Sequence, residues 1–225
     1  MDGVKLQSKL WKGYGKAALR IGTPYAVYRP SGATNPIVSG NLITTIPAAF
    51  TIHGAGQYKF DKPSDYKDAL FHGLFDATML HQGDYLVGSS GTYFISAFDP
   101  IKPILCVNAS RTLTISRQNT IAAPGSSNVA TLVTAYSGDT IANETAIYQS
   151  WPGVLAYVDK SMWPAVQLPA DTTKPGGWKI LLPAIPGFPA IMENDIVTDD
   201  SGKRYQVDAA WMDDIWILHA RFLKA

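Results

Sequence analysis

Three short strings in this sequence carry the residue types of known catalytic devices. Gly13-Tyr-Gly-Lys-Ala-Ala18 approaches the glycine-rich loop that cradles a dinucleotide, and Ser64-Asp-Tyr-Lys67 has the spacing of a serine nucleophile with a lysine base. Gly88-Ser-Ser-Gly91 sets serines between glycines, as a nucleophile elbow does. Each chemistry needs a context that this chain lacks. A phosphate loop follows a strand and opens a helix, whereas Gly13 lies inside a helical pattern. The Ser/Lys pair has no Ser-Asp-Asn or Lys-Thr-Gly companion, and 88–91 reads as a hairpin turn rather than a strand-to-helix bend.

Metal and thiol chemistry fare no better. His53, His72, His81 and His219 include no pair four residues apart on a helix, and His81 with Asp84 reads as a local hydrogen bond. Glu193, Asp195, Asp199 and Asp200 lack the alternating order and distal glutamate of a calcium loop, so a solvated hairpin face is expected. The single Cys106 excludes an intramolecular disulfide and a cysteine zinc site, and its apolar run reads as a buried inert thiol. No enzymatic activity, metal or cofactor is therefore expected. Among the six tryptophans, Trp151 and Trp163 each precede a proline and are candidates for exposure, where an indole stacks on sugars or anchors a protein interface. Trp216, inside an apolar strand, reads as core.

The elements that would position any of these residues are mostly short strands. The segment Asp195-Ile-Val-Thr-Asp-Asp-Ser-Gly-Lys-Arg-Tyr-Gln-Val-Asp-Ala repeats the design of Asp84-Tyr-Leu-Val-Gly-Ser-Ser-Gly-Thr-Tyr-Phe-Ile-Ser-Ala, with one extra residue in its turn. In both, an Asp after Gly83 or Asn194 opens a strand, a glycine turn follows, and a Tyr-x-Ile/Val-x-Ala strand leaves it. A further apolar run closes each meander, Pro103-Ile-Leu-Cys-Val and Ile215-Trp-Ile-Leu-His. Val4 to Ile21 reads as a helix, with Leu6, Leu10, Tyr14, Ala17 and Ile21 on its apolar face. Ser64 begins what reads as a short capped helix into Leu70 and Phe71. The expectation is a mainly β protein: two small barrel-like or sandwich-like units related by an internal repeat, preceded by an amphipathic helix. The divisions drawn are a basic helix and arm over 1–30, a first β domain over 31–117, a polar linker or extended loop over 118–150, and a second β domain over 151–225.

Charge is low at 16% and net charge is +1, so part of the surface is expected to be covered by a partner and nothing global argues for nucleic acid. No export signal and no apolar stretch of membrane-spanning length is present in the sequence, which suggests a soluble product that is not exported. The distribution of charge is uneven. Lys5, Lys9, Lys12, Lys16 and Arg20 form one helical stripe, whereas Asp195, Asp199, Asp200, Asp213 and Asp214 crowd the final hairpin. Opposite charge at the two ends invites a head-to-tail contact between copies.

The terminal pattern Asn-Asp-Ile-Val-Thr-Asp-Asp-Ser-Gly-Lys-Arg-Tyr-Gln-Val-Asp-Ala followed by Trp-Ile-Leu-His-Ala resembles the closing meander of tailed-bacteriophage head-tail joining proteins, the neck, stopper or collar components. The resemblance covers about the last 35 residues and is looser over the first 117. It implies a non-enzymatic structural virion protein, assembled in the host cytoplasm into a homo-oligomeric ring that joins head to tail. Implied partners are portal or adaptor, neck and tail proteins, with the polar 118–150 segment near channel DNA and no membrane. A tail or baseplate carbohydrate-binding module for host recognition, using Trp151 and Trp163, is the alternative.

Overall fold

The computed structural model describes residues 3–52, 69–99, 103–118, 144–158 and 177–223. Helix α1 (Gly3–Ile21) leads into β1 (Thr23–Tyr28), β2 (Leu42–Ile52), β3 (Leu70–Leu74), β4 (Tyr85–Gly88), β5 (Gly91–Ala97) and β6 (Ile104–Asn108). These six strands close into an antiparallel barrel in the order β1-β2-β3-β6-β5-β4. A second closed barrel follows, from β7 (Arg111–Gln118), β8 (Glu144–Val158), β9 (Gly177–Pro183), β10 (Ile196–Asp199), β11 (Arg204–Met212) and β12 (Ile215–Phe222). Its order, β7-β8-β9-β12-β11-β10, is that of the first barrel with every strand six places later. The repeat seen in the meanders therefore extends to the whole barrel.

That symmetry moves the division between the units. Strand β7 pairs with β8 and β10, so it belongs to the second barrel, and the joint is the dipeptide Ala109-Ser110 rather than residues 118–150. Residues 119–143 lie between β7 and β8, outside the described residues, while 144–150 are the first half of strand β8. At the front of the chain, the 1–30 segment is not a separate arm, because β1 is a stave of the first barrel. Ser64 to Asp68, the start of the expected short helix, lie outside the described residues, and Leu70 and Phe71 are in β3.

Alternation of the strands fills both barrels. In the first, Tyr25, Val27, Phe75, Leu86, Tyr93, Ile95, Ile104 and Cys106 point inward, with Phe50 stacked on Tyr93 at 3.9 Å between ring centroids. In the second, Leu113, Ile115, Ile180, Val197, Tyr205, Val207 and Leu218 form the core. Both barrels bend at a bulge of equal register, between Ile95 and Ala97 in β5 and between Val207 and Ala209 in β11. Where the chain enters β4 and β10 it needs a left-handed residue, and Gly83 (φ 86°) and Asn194 (φ 70°) supply it.

The barrels meet through a row of side chains on the outer wall of the first. Tyr28 lies opposite Tyr85, Tyr85 opposite Phe94, Phe94 opposite Val107 and Val107 opposite Leu70, and all five join the hydrophobic core of the second barrel. The same register in the second barrel reads Ser116, Ile196, Gln206 and Arg221. There Arg221 donates two hydrogen bonds to Gln206 Oε1, at 3.2 and 2.7 Å, on an exposed surface. An apolar wall in one copy of the repeat has become a polar one in the other, so the second barrel does not present the wall through which the first recruits a neighbour.

Candidate assembly interface

The two meanders place an Asp at the same point, and each takes an Arg from the end of its barrel's first strand. Arg29 Nε and Nη2 donate to Asp84 Oδ1 and Oδ2 at 2.9 and 2.7 Å, and Nη2 also reaches the Met79 carbonyl at 3.0 Å. In the second barrel, Arg117 Nε and Nη2 both reach Asp195 at 2.8 Å, and Nη2 reaches the Ala190 carbonyl at 2.8 Å. The backbone N–H three residues before each Asp, His81 or Met192, donates to its Oδ2 at 2.8 Å. Asp84 and Asp195 are buried, and each accepts a forked guanidinium plus a backbone donor. The hydrogen bonds to these carboxylates raise the pKa of Arg29 and Arg117 against the effect of burial. Asp195 is thus a structural clamp and not interface charge, and His81 serves Asp84 through its backbone N–H.

Asp199 is also structural. Its Oδ1 accepts from the Ser201 N–H, Ser201 Oγ and the Lys203 N–H at 2.7 to 2.9 Å, and Oδ2 accepts from Tyr205 Oη at 3.2 Å, which ties off the β10–β11 turn. Burial opposes its charge, but these donors outweigh burial and lower its pKa. Asp200 is exposed and pairs with Arg111 at 2.9 Å, and Asp208 pairs with Arg221 at 3.3 Å. Of the acidic cluster, Glu193, Asp213 and Asp214 remain exposed with no ion pair among the described residues.

The five cations of α1 are likewise exposed and make no ion pair among the described residues. The helix lies on β2 and β3 through a face other than the expected one. Gly15 and Ala18 are its buried residues, and Trp11 packs on Phe98 with ring centroids 5.3 Å apart. A Cβ at Gly15 would come within 2.8 Å of the Asp76 Cβ, so close approach selects small residues there. Of the face expected to be packed, Leu10 and Tyr14 are half-buried, but Leu6 and Ile21 are 44% and 67% exposed, and Ala17 is exposed too. At ~100° per residue this apolar flank borders the cationic stripe, which lies opposite the packed face.

Trp151, expected at the surface, is fully buried. Its Nε1 donates to the Ala33 carbonyl of the first barrel at 2.9 Å, and its ring sits edge-on between Tyr85 and Phe188. Proline at 152 keeps the strand going and marks no exposure; the Pro152 carbonyl accepts from Tyr85 Oη at 2.8 Å across the same seam. A sugar platform on Trp151 is therefore ruled out, and Trp163 lies outside the described residues. Among the described residues the most exposed indole is Trp211, beside His219 at 4.8 Å between centroids.

Next to this seam runs an open cleft of about 630 Å³. Arg29, His81, Gln82 and Asp84 of the first barrel form one side; Ile185, Phe188, Met212, Asp213 and Trp216 are among the residues of the other. Gln82 Nε2 donates to the Asp214 carbonyl, which sets the acidic β11–β12 turn at the edge of the cleft. Comparison with protein-family models, curated proteins and solved structures gives no match. The sequence pattern around the clamps would have revealed their arginines: Tyr25-Ala-Val-Tyr-Arg29 and Leu113-Thr-Ile-Ser-Arg117 share a core-x-branched-x-Arg order.

Proposed function

We propose that this chain is a structural component of a tailed-phage virion that assembles as a homo-oligomeric ring in the head-to-tail neck. The observation that carries the reading is how the structure sorts charge. Among the described residues, five cations on one exposed helix face and three carboxylates elsewhere are left without ion-pair partners, while the other acidic residues of the final hairpin are consumed within the fold. On a chain of net charge +1, such a division is self-complementary. A contact between two different patches of identical copies closes into a ring when its rotation allows. Two fused barrels with filled interiors supply a rigid body for such an assembly, and the resemblance of the terminal meander to head-tail joining proteins supports the station. The reading assigns no catalytic step and no cofactor.

Electron microscopy of the purified protein with neck partners tests it, together with locating the chain in purified virions. Rings, and a position between head and tail, are expected. A chain that stays monomeric and enters no virion refutes the proposal.

A further inference from the structure

We infer that the cleft between the barrels is the seat for helix α1 of a second copy of this chain. The inference rests on the ring reading above and names its contact. An occupant must satisfy two conditions set by the cleft: apolar surface to cover exposed Met212 and half-buried Ile185 and Phe188, and positive charge to face Asp213 and the adjoining Asp214. The exposed half of α1 meets both. Leu6, Ala17 and Ile21 line one flank, and Lys5, Lys9, Lys12, Lys16 and Arg20 run beside them with no acidic residue in the helix.

The sizes agree. A 19-residue helix is about 28 Å long and 10–12 Å across with its side chains. A cleft of about 630 Å³ takes the side chains of one helix face, not the whole cylinder. The other face stays on its own barrel, held by Trp11, Gly15 and Ala18. The helix thus serves as a bridge, packed on one copy and inserted into the next. The seam that joins the two barrels is not repeated between copies by the second barrel, since the wall equivalent to Tyr85-Phe94-Val107 is Ile196-Gln206-Arg221 there. With Arg29 paired to Asp84, Asp213 is the lining carboxylate left without an ion pair among the described residues, and the same chain carries a cationic occupant.

Cross-linking the full-length protein tests this, because Cys106 is buried and contributes no background. Ala17→Cys and Met212→Cys are made separately, both at exposed positions. Mixed under mild oxidation, they are expected to give a disulfide-linked pair that neither gives alone. In sedimentation, Asp213→Lys with Asp214→Lys is expected to weaken association by about tenfold or more at low salt. Lys12→Glu with Lys16→Glu in the same chain is expected to recover part of that loss. Oligomers that form without the mixed cross-link, and without sensitivity to Asp213 and Asp214, would overturn the cleft as the seat while leaving the ring standing. A protein monomeric at every concentration would overturn both. Retention of α1 on DNA or anionic vesicles, with no cross-link between copies, would also overturn the inference.

Discussion

Replacing Phe94 by Gln puts into the first barrel the residue that the second carries at the same register. Phe94 is fully buried, outside its own barrel and inside the core of the other. Truncating such a ring costs about 3–5 kcal/mol, and an amide buried without partners adds about 1–3 kcal/mol. The loss is capped by the free energy that couples the barrels, because they can part at the seam instead of burying the amide. The expected result is therefore loss of cooperativity as well as stability. In urea, the parent protein should unfold in one transition, seen alike by far-ultraviolet circular dichroism and by tryptophan fluorescence. Trp151, Trp178, Trp211 and Trp216 all lie in the second barrel, so fluorescence reports chiefly on that half. In Phe94→Gln the fluorescence midpoint should lag behind the circular dichroism midpoint, as the first barrel opens before the second. A single coincident transition within about 1 kcal/mol of the parent would refute the idea that this row holds the barrels together.

The reverse exchange, Gln206→Phe with Arg221→Val, should give the second barrel an exposed apolar wall and cause concentration-dependent self-association, measured by light scattering. Asp84→Ala and Asp195→Ala should each cost about 2–4 kcal/mol, less than a fully buried pair because each Arg is partly exposed, whereas Asp200→Ala at the surface should cost under about 1 kcal/mol; thermal melts compare the three. Asp199 has a lowered pKa when folded, so its contribution is present above the unfolded carboxylate range near 4 and is lost as pH falls through its folded value; Asp199→Asn should flatten that acid limb of stability against pH. Burial, the main cause, pushes the phenols of Tyr148 and Tyr205 up to about 12. Being raised, they contribute stability below the unfolded pKa near 10 that fades as pH rises to about 12, and their ionisation should be missing from an ultraviolet titration of the native protein below that pH. The Cys106 thiol, raised by burial, should react with a thiol reagent only after denaturation.

The meanders were legible in the sequence because Asp84 and Asp195, Gly83 and Asn194, and the Tyr-x-Ile/Val-x-Ala strands each obey a backbone or pairing demand that few residues meet. The repeat itself does not show in the opening three strands of each barrel, since alternating burial accepts any apolar side chain and their connections differ, spanning 29–41 in one barrel and 119–143 in the other. A polar stretch between two strands of one barrel therefore has the same composition as a linker between domains. The packed face of α1 departs from the sequence pattern for a physical reason as well. Hydrophobic periodicity points to the largest side chains, but this helix packs through Gly15 and Ala18, where close approach matters more than area. Trp151 followed the same pattern, its Pro152 suggesting exposure that the first barrel's loop removes.

Only Ala109 and Ser110 separate the last strand of one barrel from the first strand of the next, and the Ala109 N–H is itself bonded to the Thr92 carbonyl at 2.8 Å. Mechanically, so short a joint beside a continuous core leaves no slack. A tensile load applied to either barrel passes directly into the other, and yielding requires the seam to shear as a unit. If the chain assembles into a ring as proposed, such a joint makes it a spacer of fixed length, with force passing from one barrel to the other without stretching.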